Sequence, residues 1–185
     1  VSPQKNSLVS IGAIDFANPK NRFYEECRIW DGAHVEKAAL AVNGFTEKEI
    51  TDPNKKSDRE VVLSFLSWLE NISDKTIAGH NPSFDRDFLE ETAHRYHIAW
   101  PLAHRTLDLH SVCYFDMIRQ GIVPPSFHNH SALNLDAILN YLGCPSEPKP
   151  HNALTGALVE TECFGRLFNQ QPFLEEFLKF PLPKR

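Results

Sequence analysis

The run Ile77-Ala78-Gly79-His80-Asn81-Pro82 constrains this 185-residue chain more than any other. It is too short for a helix and too apolar for a loop, so Thr76–His80 is predicted as a short buried strand that stops at Asn81-Pro82. Phe84, Phe88 and Leu89 then begin a helix almost at once. Asp85 falls in the first turn of that helix, where the helix dipole favours a carboxylate. A strand whose carboxyl end feeds a helix is also where α/β sheets usually place ligands. A lone Asp in such a place is usually no more than a helix-end residue.

The rest of the pattern fixes the class. Leu8–Phe16 and Arg22–Trp30 are strand-like runs on either side of Asn18-Pro19-Lys20-Asn21, and read as a hairpin. Val35–Val42 is helical and is stopped by Asn43-Gly44. Ser57-Asp58-Arg59-Glu60 is a capping box before Val61, Val62, Phe65, Leu66 and Leu69, which share one helix face. Leu133–Tyr141 is a helix closed by Gly143, and Leu154–Phe168 is the last long one. Phe173–Phe180 reads as an amphipathic tail helix packed on the domain. A hairpin followed by alternating strands and helices predicts an α/β domain, a mixed β-sheet flanked by α-helices. No internal repeat and no low-complexity linker divides residues 1–185, so one domain is expected.

Composition removes other classes. With 42% hydrophobic and 23% charged residues the chain is neither disordered, nor collagen-like, nor a coiled coil. No apolar run approaches the roughly 20 residues of a membrane span, and the polar opening Val1-Ser2-Pro3-Gln4-Lys5 does not read as a signal peptide. A net charge of −5 argues against a broad basic face that coats nucleic acid, though not against an enzyme that grips a strand end. Cys27, Cys113, Cys144 and Cys163 form no Cys-x-x-Cys pair, and free thiols in a reducing cytoplasm are expected.

A second polar segment, Pro150-His151-Asn152-Ala153-Leu154-Thr155-Gly156-Ala157, puts a histidine just before a helix. Alone, such a histidine is more often a surface residue than a base. Taken together with the first segment, it resembles a known family. His80-Asn81-x-x-Phe84-Asp85-x-x-Phe88-Leu89 resembles the second motif of the DEDDh 3′–5′ exonucleases, the family of polymerase proofreading subunits and RNase T. Ser10–Ile14 resembles its "EIGAV" strand, Val42–Thr46 its "v-x-G-I-T" turn, and Arg105–Leu109 its strand near "DTL". Leu135–Gly143 resembles its "LDALAxxLGI" helix, and His151-x-Ala153-Leu154 its third motif. The six matches fall in the family's order.

The resemblance implies a ribonuclease H-like fold and a two-metal phosphodiesterase acting on single-stranded DNA or RNA 3′ ends. In that chemistry four carboxylates hold two hard cations, Mg²⁺ or Mn²⁺, roughly 4 Å apart, and a histidine takes the proton of the attacking water. By position, Asp85 is the expected metal-holding carboxylate and His151 the general base. His80, Asn81 and Phe84 would shape the pocket for the terminal nucleotide. The implied partner is a nucleic acid 3′ end, with no membrane and a cytoplasmic location.

The chain departs from the family pattern twice. The opening Asp-x-Glu strand, central to the family's sheet, should lie just upstream of Val1, so a domain lacking its first strand is expected. Without that strand the alternative is a noncatalytic nucleic-acid-binding module of the same fold. The last carboxylate should lie where the chain has Gly156; Glu160, one helical turn on, either replaces it as a metal ligand or is an ordinary solvated helix residue, the commoner fate of a helical glutamate. Other candidates are weaker. His128-Asn129-His130 reads as a polar loop, His94 and His97 as an i, i+3 pair on a helix without a convincing third ligand, and Asp108 and Asp136 as structural.

Overall fold

The computed structural model describes residues 1–183. The hairpin forms where the turn tetrad predicts it. Strand β1 (Ser10–Ile14) pairs antiparallel with β2 (Arg22–Glu26), with Gly12 opposite Tyr24. A short helix α1 (Lys37–Asn43) ends on Gly44, whose φ of 72° is the left-handed cap a glycine accepts without strain. The single turn α2 (Glu47–Ile50) and helix α3 (Asp58–Leu69) both start with complete capping boxes, Thr46 with Glu49 and Ser57 with Glu60. Each such cap is worth about 1 kcal/mol. Strand β3 (Ile77–Gly79) runs into α4 (Pro82–Arg95) and pairs parallel with β4 (Thr106–Asp108).

Helix α5 (Leu109–Arg119) follows β4 directly, capped by the Asp108 side chain. It was not legible in the sequence. Tyr114, Phe115 and Ile118 are exposed on its outer face, so apolar residues on both sides erase the contrast that marks an amphipathic helix. A small hairpin, β5 (Ser126–Phe127) with β6 (His130–Ser131), turns at His128-Asn129, and both turn residues have positive φ. Helix α6 (Leu135–Leu142) ends on left-handed Gly143, and α7 (Ala153–Asn169) is the longest element.

Two expectations change. The Phe173–Phe180 tail is a single 3₁₀ turn, Glu175–Phe177, that buries Leu174 and Phe177 and is too short to show helical periodicity. His94 and His97 do not share a helix, because α4 ends at Arg95 and His97 has φ 56°. The α/β class stands. Among the described residues, however, the strands make three two-stranded sheets, not one continuous mixed sheet. One apolar core, including Phe23, Val62, Phe65, Leu89 and Leu102, lies between the hairpin, α3 and α4. A second, including Leu109, Ile138, Leu142, Val159 and Phe177, joins α5, α6, α7 and the tail.

Helix α7 bridges the hairpin and the β3–β4 pair. Its amino end lies so close to β1 that a Cβ on Gly12 would sit 2.2 Å from the Ala153 carbonyl carbon, so only glycine permits this backbone-on-backbone contact. Asn152 fixes the same end. Its side chain accepts from the Leu154 and Thr155 amides and donates to the Tyr24 hydroxyl at 2.9 Å. Between β1 and β3, over α7, lies a cleft of about 1010 Å³ lined by Leu8–Ala17, Thr76–Ala78 and the inner face of α7. The described residues contain no helix long and apolar enough to cross a membrane. All four cysteines are buried and free of disulfides.

Candidate active site

The β3–α4 junction is sharp because Asn81 takes a left-handed conformation, φ 59° and ψ 50°, which asparagine tolerates better than most residues. The Asn81 amide donates to Asp108 Oδ1 at 3.2 Å, and the same oxygen accepts the His110 amide at 3.1 Å. Asp108 thus ties the starts of α4 and α5 together, which is a structural role. Pro82 opens α4, and Asp85 lies in its first turn, facing the cleft.

Glu160 comes to the same place from α7 and is half-buried, not turned to solvent. Its carboxylate lies over β3, with Oε2 2.9 Å from where a Cβ on Gly79 would stand, and it accepts the His80 backbone amide. The solvated reading of Glu160 is therefore corrected: a glycine in the strand makes room for the glutamate head. The sequence shows Gly79 only as part of a strand, with no mark of this service.

The electrostatics of the pair are those of two crowded carboxylates that raise each other's cost of ionisation. Burial pushes Glu160 up to about 8, helped by the nearby negative charge of Asp85 and, to a lesser degree, of Glu147 and Asp108; the His80 amide pulls it down. Burial likewise pushes Asp85 up to about 6, against the pull of its own backbone amide and of His151. Asp85 is nevertheless open to solvent through the cleft, so protein crowds it on most sides without sealing it.

His151 stands two residues before α7, its amide bonded to the Val42 carbonyl at 3.0 Å, and its ring lines the cleft. Its Nδ1 is 2.7 Å from Glu147 Oε1. Gly156 is explained by the same ring. A Cβ there would come within 2.9 Å of His151 Cε1 and 3.4 Å of Glu147 Oε1, so the position holds a neighbour's side chain where the family pattern has a carboxylate. Glu147 itself was missed. It lies in the Pro145–Pro150 loop, outside any periodic element, and no sequence signal marks it. Phe84, 46% exposed, packs on Phe88 with ring centroids 4.9 Å apart and borders the cleft. His80 Nε2 is buried without a hydrogen-bond partner among the described residues.

Asp85, Glu160, His151 and Phe84 are thus brought to one cleft, while His80, Asn81, His94, His97 and the His128–His130 turn take no part in its lining. Among the described residues no group of three or more His, Cys, Asp and Glu side chains could hold a metal ion. The all-oxygen pair Asp85 and Glu160 fits one part of a hard-cation site and falls short of a whole one.

The fold has the class that this arrangement leads one to expect: it is α/β and ribonuclease H-like. It is similar to the crystal structure of cell-death related nuclease 4 (CRN-4), with a TM-score of 0.63 and 15% sequence identity over 82% of this chain and 51% of that one. The chain thus spans about half the length of that protein, and at this identity the likeness is one of fold. No family model and no curated protein sequence matches the chain.

Proposed function

We propose that this domain belongs to a metal-dependent 3′–5′ exonuclease that hydrolyses phosphodiester bonds at single-stranded DNA or RNA ends. The observation that carries the reading is the pair of carboxylates, Asp85 and Glu160, held together beside His151 in one cleft. The likeness to CRN-4 agrees with it. Asp85 and Glu160 would hold Mg²⁺ or Mn²⁺, which when bound supplies charge to both the attacking and the leaving oxygen. His151 would take the proton of the attacking water as the new P–O bond forms and the P–O3′ bond breaks. Phe84 lines the cleft where the terminal nucleotide would lie and is available to a base face, and the neighbouring turn residues His80 and Asn81 would border that nucleotide.

The missing carboxylates would come from an extended strand, the Asp-x-Glu segment of the family resemblance, seated in the cleft. The geometry supports one strand there. Helix α7 meets β1 at Ala153 and β3 at Glu160, seven residues apart. At 1.5 Å per residue that is roughly 10 Å, about twice the spacing of neighbouring strands. Val9 accepts the Cys27 amide and Asp15 donates to the Asn21 carbonyl, just beyond the two ends of β2. By antiparallel alternation the backbone groups of Ser10, Gly12 and Ile14 then face away from β2, toward the cleft. The absence of a three-ligand group among the described residues favours a second reading, a noncatalytic nucleic-acid-binding module of the same fold.

Hydrolysis decides between them. The natural polypeptide that carries this chain should release mononucleotides from a 3′ end with Mg²⁺ or Mn²⁺, stop with EDTA, and lose turnover with Asp85→Ala while staying folded. Near-normal digestion by that variant sinks the assignment. The 185 residues by themselves should bind Mg²⁺ weakly and hydrolyse nothing measurable; two tight sites by calorimetry would show that the ligands lie elsewhere.

A further inference from the structure

Base chemistry needs more than a histidine in a cleft: one ring nitrogen must be free to accept a proton, and the ring must be aimed. His151 has the means for both. Its amide is anchored to the Val42 carbonyl, and the Pro145–Pro150 loop beside it leans on the end of α1, where a Cβ on Gly44 would strike Pro150 Cγ at 2.6 Å. From that loop Glu147 reaches Nδ1 at 2.7 Å, with a side chain only 15% exposed. The same Oε1 lies 3.3 Å from Thr155 Oγ1, in the first turn of α7; the single proton of that hydroxyl also has the Asn152 carbonyl at 2.9 Å, so the His151 ring is the carboxylate's principal partner. Gly156 clears the flank of the ring. Nε2 makes no hydrogen bond to another described residue, and the ring lines the cleft that holds Asp85 and Glu160.

We infer that Glu147 is a positioning residue: its carboxylate accepts the Nδ1 proton of His151, fixes the ring as the Nδ1–H tautomer, and leaves the Nε2 lone pair turned to the water that attacks the phosphodiester. An ionised carboxylate only accepts hydrogen bonds, so the nitrogen facing it must carry a proton, and in the neutral ring the other nitrogen is then free. The arrangement is the carboxylate–imidazole pairing by which hydrolases hold a general base in the working tautomer. The inference rests on the reading of His151 as the base of a nuclease, and the two can fail separately.

The test is ¹⁵N NMR of the His151 imidazole in the 185-residue chain at pH 8, where an ordinary imidazole is neutral. A single Nδ1–H tautomer is expected, with Glu147→Ala moving both nitrogens toward the averaged shifts of a free ring and Glu147→Gln, which keeps a carbonyl acceptor, moving them less. In the natural polypeptide Glu147→Ala should lower kcat about 10²-fold or more with KM little changed. An averaged or doubly protonated ring in the parent, or a tautomer indifferent to Glu147→Ala, overturns the inference whatever the chain hydrolyses. An active parent whose kcat ignores Glu147→Ala overturns it as well. A parent that hydrolyses nothing while its ring shows the Glu147-dependent tautomer overturns the nuclease reading, and leaves the hold of Glu147 on His151 supported.

Discussion

Glu160 and Glu162 stand two residues apart on α7, and the helix treats them in opposite ways. Glu162 is fully buried and fully answered. Arg166, equally buried, lies 2.5 Å from it, and the amides of Phe173 and Leu174 donate to its oxygens. Arg166 in turn donates to the carbonyls of Leu142 and Phe180, so the pair fastens α6 and the tail to α7. Glu160 has one backbone amide, from His80, and faces another carboxylate across the cleft. The first charge is neutralised inside the fold and serves stability. The second is left for something outside it, the usual mark of a functional site.

That contrast breaks most easily at Glu162. Arg166→Ala leaves a buried carboxylate without its cation, and should lower the unfolding free energy by about 3–5 kcal/mol in chemical denaturation. A loss below 1 kcal/mol would mean that the two glutamates are not different in kind. Glu160→Gln should act the other way. Without divalent metal at pH 8.5 it removes like-charge repulsion and stabilises by about 1 kcal/mol, a value discounted because the site is open to solvent.

The same carboxylates set a pH dependence. Asp85 at about 6 and Glu160 at about 8 both keep their protons to higher pH when folded than when unfolded. Stability linked to them is complete near pH 4 and is lost as pH rises through those values, because the folded state then binds more protons than the unfolded one. The melting temperature in EDTA should therefore fall between pH 5 and 8.5. Mg²⁺ should flatten the slope, as should Glu160→Gln. A melting temperature that rises over this range contradicts the assignment. The smallest effect belongs to Gly156→Ala. Roughly 1 kcal/mol of helix propensity is offset by displacement of the His151 ring, so stability should hardly move while the His151 resonances shift.

Much of this was legible in the sequence, for definable reasons. The hairpin, α3, α4, α6 and α7 carry local signals: turn tetrads, capping boxes, left-handed glycines and apolar faces. Asp85 and His151 stand out in the sequence because each sits at a helix start, where short strings hold their spacing. Glu147 and Gly79 do not, since their roles depend on what the fold brings across from another segment. Gly156 is legible as a departure from the family pattern, but the His151 ring that fills the space beside it is not. Helix α5 was hidden by its exposed aromatic face, and the single mixed sheet is interrupted by the cleft.

The contact of Gly12 with Ala153 has a consequence for how the chain can vary in length. It pins the first turn of α7 to the hairpin and makes that turn the origin from which later helical positions are counted. Adding or deleting one residue between Ala153 and Glu160 would swing the glutamate by about 100° around the helix and shift it by about 1.5 Å along the axis, out of the cleft. An insertion in the Pro145–Pro150 loop leaves that count untouched, and would disturb only the ring of His151. The placing of Glu160 beside Asp85 therefore tolerates drift in loop length on one side of Ala153 and none on the other, whereas the hold of Glu147 on His151 depends on that loop.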